Sequence, residues 1–355
     1  MHPRRLVPLA VLSVVVLAAA PVSAANINAA NSYTVHALLS DNGVDGSAID
    51  PHLVNGWGIS ASSTSPWWVA DNGTDTSTLY RGDGSIVPLV VSVPGGPTGT
   101  VFNGSSSFVV TAGGASAPAR FLFDNEDGEI RGWNPGVAPT TAVVGAAASD
   151  GASYKGLAIA SSGGTPYLYA ADFHNAKVDV YNGSFVLQAW TGAFVDPGIP
   201  DGFAPFGIQT LNGMIFVTYA KQDADAADEV AGEGLGFVSA FGTDGSFLGR
   251  VASGDDLNAP WGLAWAPASG FGRFSGDLLV GNFGDSRINA YAWTSSGWEA
   301  RGHLKTANHL PLAVDGLWGI GFGNGANSGP TTTLYFAAGP DDEEHGLFGS
   351  ITFNN

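Results

Sequence analysis

From Ser32 onward the chain alternates short apolar runs with clusters of Gly, Asp, Asn and Pro, the pattern of strands separated by turns. One phrase recurs: NGWGISA at Asn55–Ala61, PFGIQTL at Pro205–Leu211, PWGLAWAP at Pro260–Pro267 and LWGIGFG at Leu317–Gly323. With two weaker members, PTGTVFN and YKGLAIA, alignment on the shared glycine gives Gly58, Gly99, Gly156, Gly207, Gly262 and Gly319. Regular recurrence over a few tens of residues is the signature of a repeat architecture. A period of two puts Trp261 and Leu263 on one face of PWGLAWAP and Gly262 with Ala264 on the other. The glycine lets the strand pack closely where the repeats converge.

Each phrase is followed by a second apolar run rich in aromatic and β-branched residues: WWVADN, FLFDNED, LYAADFHN, IFVTYAKQD, LLVGNFGD and LYFAAGPDD. These read as strand then turn. A third set alternates apolar and polar residues and closes in turn residues: STLYRGDG, GEIRGWNP, AKVDVYNG, GFVSAFGTDG, SRINAYAW and GLFGSITF. A fourth run completes five units: IVPLVVSV, TTAVVGA, SFVLQAW, SFLGRVA and WEARGHL. The sixth unit has no room for one, but SYTVHALL at Ser32–Leu39 is spare at the other end. An N-terminal strand that completes the last repeat closes a ring and leaves only short, protected edges. The expected fold is all-β: a six-bladed β-propeller of four-stranded antiparallel blades, closed by that strand. Two separate β-sandwiches would not keep one order of strand strings from end to end. No run shows a helical period. The Ala-rich stretch Asp223–Glu233 reads as a long loop.

The N-terminus carries a different pattern. Arg4 and Arg5 precede an apolar run from Leu6 to Ala20, and Val22-Ser23-Ala24 supplies small residues for cleavage. Residues 1–24 therefore read as a secretory signal peptide, and 25–355 as one propeller domain. No later stretch is long and apolar enough to span a membrane. The expected product is secreted, extracellular or periplasmic, and monomeric.

Composition then narrows the chemistry. With no cysteine, disulfides and thiolate chemistry are excluded, so stability must come from the core. The formal charge is −18, and loss of Arg4 and Arg5 would take it to −20. Such a surface repels phosphate backbones, which argues against nucleic-acid partners and leaves cations, small molecules or an extracellular polymer. No G-x-S-x-G elbow and no H-E-x-x-H are present.

The Gly-Ile/Leu strand followed by an LYVAD-like and an IxVY-like strand resembles NHL-type and SMP-30/gluconolactonase-type six-bladed propellers. A nearer resemblance, carried by VNGWGIS (54–60), FLFDNEDGEIRGWNP (121–135), APFGIQ with FVTYAKQD, and LWGIGFGNG with LYFAAGPDDEEHGLFG, is to a family of exported bacterial six-bladed propeller proteins of uncharacterised function. The resemblance implies fold and export and carries over no reaction. The SMP-30 resemblance implies a divalent ion at the channel mouth, held by a first-strand glutamate, middle-blade asparagines and a late aspartate. SYTVHALL offers no glutamate, whereas Asn258 and Asp315 stand where later ligands would come from.

In a propeller the loops before first strands and between second and third strands open on one face. That face gathers Asn55, Lys155, Asn258 and Asp315 as candidate ligand-binding residues. Asp71, Asp172, Asn282 and Asp341 occupy equivalent turn positions, and their oxygens suit Ca2+ or Mg2+; the same residue types also serve tight turns. His174 and His345, each with carboxylates nearby in sequence, are the candidate general bases of a metal-dependent hydrolase or lactonase. Trp57, Phe206, Trp261 and Trp318 are expected to wedge between blades, with stacking on a ligand ring as the alternative. Three readings follow: a small-ligand binder with or without a divalent cation, a metal-dependent hydrolase, and a non-catalytic scaffold for proteins or glycans.

Overall fold

The computed structural model describes residues 31–354, so the expected leader at 1–24 lies outside the described residues. The chain opens with β1 (Tyr33–Ser40) and the short β2 (Ala48–Ile49). Blade 1 is β3 (Gly56–Ser60), β4 (Trp67–Asp71), β5 (Thr76–Tyr80) and β6 (Ile86–Ser92). The next segment contains β7 (Pro97–Phe102), β8 (Val109–Ala112), β9 (Ala115–Pro118), β10 (Phe121–Asn125), β11 (Glu129–Trp133) and β12 (Val143–Ala147). Of these, β7, β10, β11 and β12 form blade 2, while β8 and β9 make a separate hairpin. Blade 3 is β13 (Tyr154–Ser162), β14 (Thr165–Asp172) and β15 (Lys177–Asn182). Blade 4 is β16 (Phe203–Leu211), β17 (Met214–Lys221), β18 (Gly236–Phe241) and β19 (Phe247–Ser253). Blade 5 is β20 (Pro260–Trp265), β21 (Leu278–Asn282), β22 (Ile288–Thr294) and β23 (Gly297–His303). Blade 6 combines β24 (Leu317–Phe322), β25 (Leu334–Ala338) and β26 (Leu347–Phe353) with β1. The fold is thus a six-bladed propeller, and β1 pairs antiparallel with β26 from Tyr33↔Phe353 to Ser40↔Leu347.

The recurring glycine has a stereochemical explanation. A methyl group on Gly58 would stand 2.6 Å from the carbonyl oxygen of Thr98 in blade 2. On Gly262 it would stand 2.5 Å from that of Trp318 in blade 6, and on Gly319 2.5 Å from that of Trp57 in blade 1. Gly99, Gly156 and Gly207 abut the backbone of blades 3, 4 and 5 in the same way. Each inner strand therefore rests on the next one's main chain, and the sequence of contacts returns to its start after six steps. Any side chain larger than hydrogen would push two blades apart.

The core is divided accordingly. Six buried clusters lie between neighbouring blades, such as Trp68, Phe121, Phe123 and Trp133 between blades 1 and 2, and Phe216, Leu263 and Val280 between blades 4 and 5. A seventh sits on the axis. Aromatic pairs within these layers prefer tilted or offset contact and add to the burial itself.

Two local features depart from expectation. SFVLQAW is not a fourth strand in blade 3; only an isolated bridge joins Tyr181 to Leu187, and Val186 and Leu187 stay exposed. The run lacks a register that buries alternate residues against β15. The β8–β9 hairpin was not anticipated, although its Gly113-Gly114 turn, with both φ positive, suits the tight connection of a two-residue hairpin.

Candidate functional site

Of the six residues that precede the repeat glycines, Trp57, Phe206, Trp261 and Trp318 pack together on the axis, Lys155 lies against Trp57, and Thr98 donates to Asp124 Oδ1 and to Tyr154 O. Five of the six are uncharged. Trp57 stacks on Trp318 with ring centroids 3.5 Å apart, and Phe283 covers the other side of Trp318 at 4.1 Å. Trp261 meets both Trp57 and Trp318 edge-on. The tryptophans are thus buried core residues, as expected, but they form a plug on the axis and do not wedge between blades.

Lys155 breaks the pattern. It is only 2% exposed, and its Nζ lies 5.4 Å from the centroid of the Trp57 ring. A buried ammonium needs charged partners. Here Nζ donates to Glu126 Oε1 at 2.5 Å, and Asp228 Oδ1 lies at 3.4 Å. Burial alone would lower the lysine's pKa, but Glu126, Asp228 and Glu229 outweigh it and hold the pKa above the usual lysine value.

Glu126 continues a hydrogen-bonded chain around the axis. Its Oε2 accepts from Asn72 Nδ2 at 2.9 Å. Asn72 Oδ1 accepts from Asn55 Nδ2 at 3.3 Å, and Asn55 Oδ1 accepts from the indole of Trp318 at 3.1 Å. Blade 6, blade 1, blade 2, blade 3 and the loop after β17 are joined in one network. Asn55 supports this from a left-handed backbone (φ 47°), which asparagine tolerates better than most residues.

The acidic stretch after β17 folds over this end of the channel. Gln222 bridges Glu229, Gln222 Nε2 donates to Phe173 O at 2.6 Å, and Asn258 Oδ1 accepts from the Gly232 N–H at 2.6 Å. Asn258 is thus an anchor for the loop. Glu229 stands near Lys155, and burial, reinforced by Glu343 and Asp228, pushes its carboxyl up to about 7. Glu343 is raised by burial too, against the pull of Asn55 and Lys155, and its Oε1 is buried without a partner. Asp341, Asp342 and Glu343 all have positive φ (56°, 53° and 67°). Left-handed conformations in consecutive non-glycine residues store strain of about 1–2 kcal/mol each.

The remaining candidates are placed elsewhere. Asp71 is fully buried, takes bonds from Thr76 and Thr78, and is raised well above the carboxylate range by burial. Asp172 caps its own turn through Asn175. Asn282 donates to Asp256 O and to Asp285. Asp341 is exposed, and its N–H donates to Asp315 Oδ2 at 3.1 Å. The structure does not bring Asp71, Asp172, Asn282 and Asp341 together, and no group of three His, Asp or Glu among the described residues is placed to hold a metal ion. His174 Nδ1 lies 3.1 Å from Ala226 O, and His345 Nδ1 lies 2.7 Å from Asp41 Oδ2. Neither imidazole hydrogen-bonds to the side chains of the Lys155 network, although the Asn55 N–H donates to the His345 carbonyl at 3.0 Å.

Below the plug the axial cavity is only about 20 Å3, room for about one water. At the opposite end the channel widens into a funnel of about 430 Å3. No helix among the described residues is long and apolar enough to cross a membrane.

No protein-family model matches the chain. Uncharacterized protein L690 of Acanthamoeba polyphaga mimivirus is 31% identical over 337 residues, covering 90% of this chain and 86% of the viral protein. The chain belongs to the same family as that protein. The relative is viral, and nothing in the match bears on a bacterial source or on export. Among solved structures, selenomethionine-substituted virginiamycin B lyase from Staphylococcus aureus matches with a TM-score of 0.50 at 14% identity, over 91% of this chain and 100% of that one. The soluble aldose sugar dehydrogenase from Escherichia coli matches with a TM-score of 0.52 at 12% identity, over 90% and 99%. At such identity these likenesses concern the fold, which is shared with lyase and dehydrogenase enzymes.

Proposed function

We propose that the carboxylate-rich end of the channel binds a small organic cation, an ammonium-bearing molecule, on an exported propeller whose leader is residues 1–24. The observation that carries this reading is Glu343: a buried, unpartnered carboxylate oxygen held on a strained left-handed turn beside a lysine whose own charge is already met by Glu126 and Asp228. Glu229 adds a second carboxyl with no cation assigned to it. A ligand ammonium would supply the missing positive charge and lower both raised pKa values as it binds. An organic ammonium suits these separated carboxylates better than a bare divalent ion, which needs several oxygens converging at one point.

A second reading is favoured by Glu229 itself. A carboxyl poised at about 7 beside a buried lysine is suited to proton transfer at neutral pH, which would make the site catalytic. Calorimetric titration of the full chain with putrescine and with CaCl2 tests the first reading. Saturable putrescine binding that Glu343→Gln weakens is the expected result. No heat from either ligand, or tight calcium binding without putrescine binding, would sink it.

A further inference from the structure

The end of the channel opposite the carboxylates has a different chemistry. Its funnel of about 430 Å3 falls within the size range of small-molecule sites. In a chain of net charge −18, no Asp, Glu, Lys, Arg or His lines it. A charged ligand would lose its hydration there with no partner in return, which is costly. A wholly apolar ligand is equally ill matched, because hydroxyl and amide groups stand among the lining side chains.

Polar groups lie both at the neck, at Thr100 and Gln209, and farther out, where Ser60, Thr210 and Asn324 join the rings on the wall. Ser60 and Thr100, from adjacent blades, face each other with hydroxyl oxygens 3.3 Å apart. Gln209 lines both the narrow axial cavity and the funnel, so it stands at the neck. Phe102, Trp265 and Phe322 supply partly exposed aromatic surface on the funnel wall. This distribution follows from the strands. Gln209 lies two residues beyond its repeat glycine, and Phe102, Trp265 and Phe322 lie three beyond theirs.

We infer that this funnel is a second ligand site, for an uncharged sugar ring. A sugar presents C–H faces that pack on aromatic surface and hydroxyls that exchange hydrogen bonds with Gln209, Ser60 and Thr100. The amide can donate and accept at once, as ring hydroxyls require. The site shares no residue with the carboxylate end, so it stands whether or not that end binds a cation.

The test is a titration of the full chain with D-glucose, D-galactose and maltohexaose, followed by tryptophan fluorescence and by NMR. Trp265 and Trp67 line the funnel and serve as reporters. Saturable binding in the millimolar range is expected, weakened about tenfold by Gln209→Leu through loss of its hydrogen bonds. Ala61→Trp, which adds bulk at a partly exposed wall position, abolishes it, and Glu343→Gln leaves it unchanged. Binding of the monosaccharides identifies a free sugar as ligand, and binding of maltohexaose alone identifies a glycan end; both support the site. Circular dichroism confirms that each variant folds, and Gln209→Leu carries the test if Ala61→Trp does not. No saturable binding by any of the three sugars, binding that survives both funnel variants, or binding lost with Glu343→Gln would overturn the inference.

Discussion

The indole Nε1–H of Trp261 donates to the backbone carbonyl of Lys155 across 2.7 Å, joining residues 106 apart in sequence and two blades apart in the ring. The bond holds the lysine's main chain in place while Glu126 and Asp228 hold its ammonium. A core tryptophan is therefore also a positioning residue for the charged network. Trp261→Phe keeps the aromatic bulk and removes the donor. A loss of about 1–2 kcal/mol is expected in urea denaturation, together with weaker putrescine binding.

The glycine ring makes a sharper stability prediction. Gly262→Ala puts a methyl group 2.5 Å from Trp318 O, and the backbone must move to admit it. Overpacking of this kind costs about 1–3 kcal/mol. Gly104→Ala is the control, because its methyl group would meet only Phe102 Cε1 at 3.4 Å and its φ is not positive. Denaturation midpoints should fall for the first and hardly move for the second.

Glu229 gives stability a pH dependence of defined sign. Its carboxyl titrates at about 7 in the folded chain against 4.5 ordinarily. Between these values the folded state holds a proton that the unfolded state has released, so stability falls as pH rises through the window. Above about 7 both states are ionised and the contribution levels off. Glu229→Gln should flatten that slope in denaturation curves taken across the window. Cation affinity should run the other way in the wild-type chain, rising with pH as Glu229 ionises.

His345 adds a pH dependence of the same sign at higher pH. The hydrogen bond and charge of Asp41 raise its pKa above 6.5. Its contribution to stability is fully present below the ordinary histidine pKa and is lost as pH rises through the folded value. NMR titration should find His345 above 6.5, and Asp41→Asn should bring it back down.

Much of this architecture could be read from residue spacing. The aligned glycines, the second and third strands of every unit and the closing N-terminal strand rest on strict local patterns, because each strand must bury one face against a neighbour. The fourth strands are outermost and least buried, so the pattern constrains them less, and SFVLQAW failed for that reason. Lys155 was visible as the one charged residue in an otherwise uncharged hub position. Equivalence of this kind does not by itself make a metal site: turn residues at matching positions in different blades lie on a circle around the axis, and the structure does not gather Asp71, Asp172, Asn282 and Asp341 at one point. Glu229 was hidden in a loop without periodicity, whose placement depends on Lys155, Asn258 and Gln222 rather than on its own sequence.

The clasp between β1 and β26 also sets the order in which the molecule can be finished. The first strand of the fold leaves the ribosome with only the two-residue β2 beside it, and its antiparallel complement is made only when Leu347–Phe353 appear. Five blades can assemble while synthesis proceeds, but the ring stays open until β26 is available to pair with β1. Its closure joins Tyr33 to Phe353, at an entropic cost that grows only slowly with loop length. A chain cut short before β26 would thus display an open ring with a bare sheet edge, a clear mark of incompleteness for any quality-control factor that recognises unpaired strands.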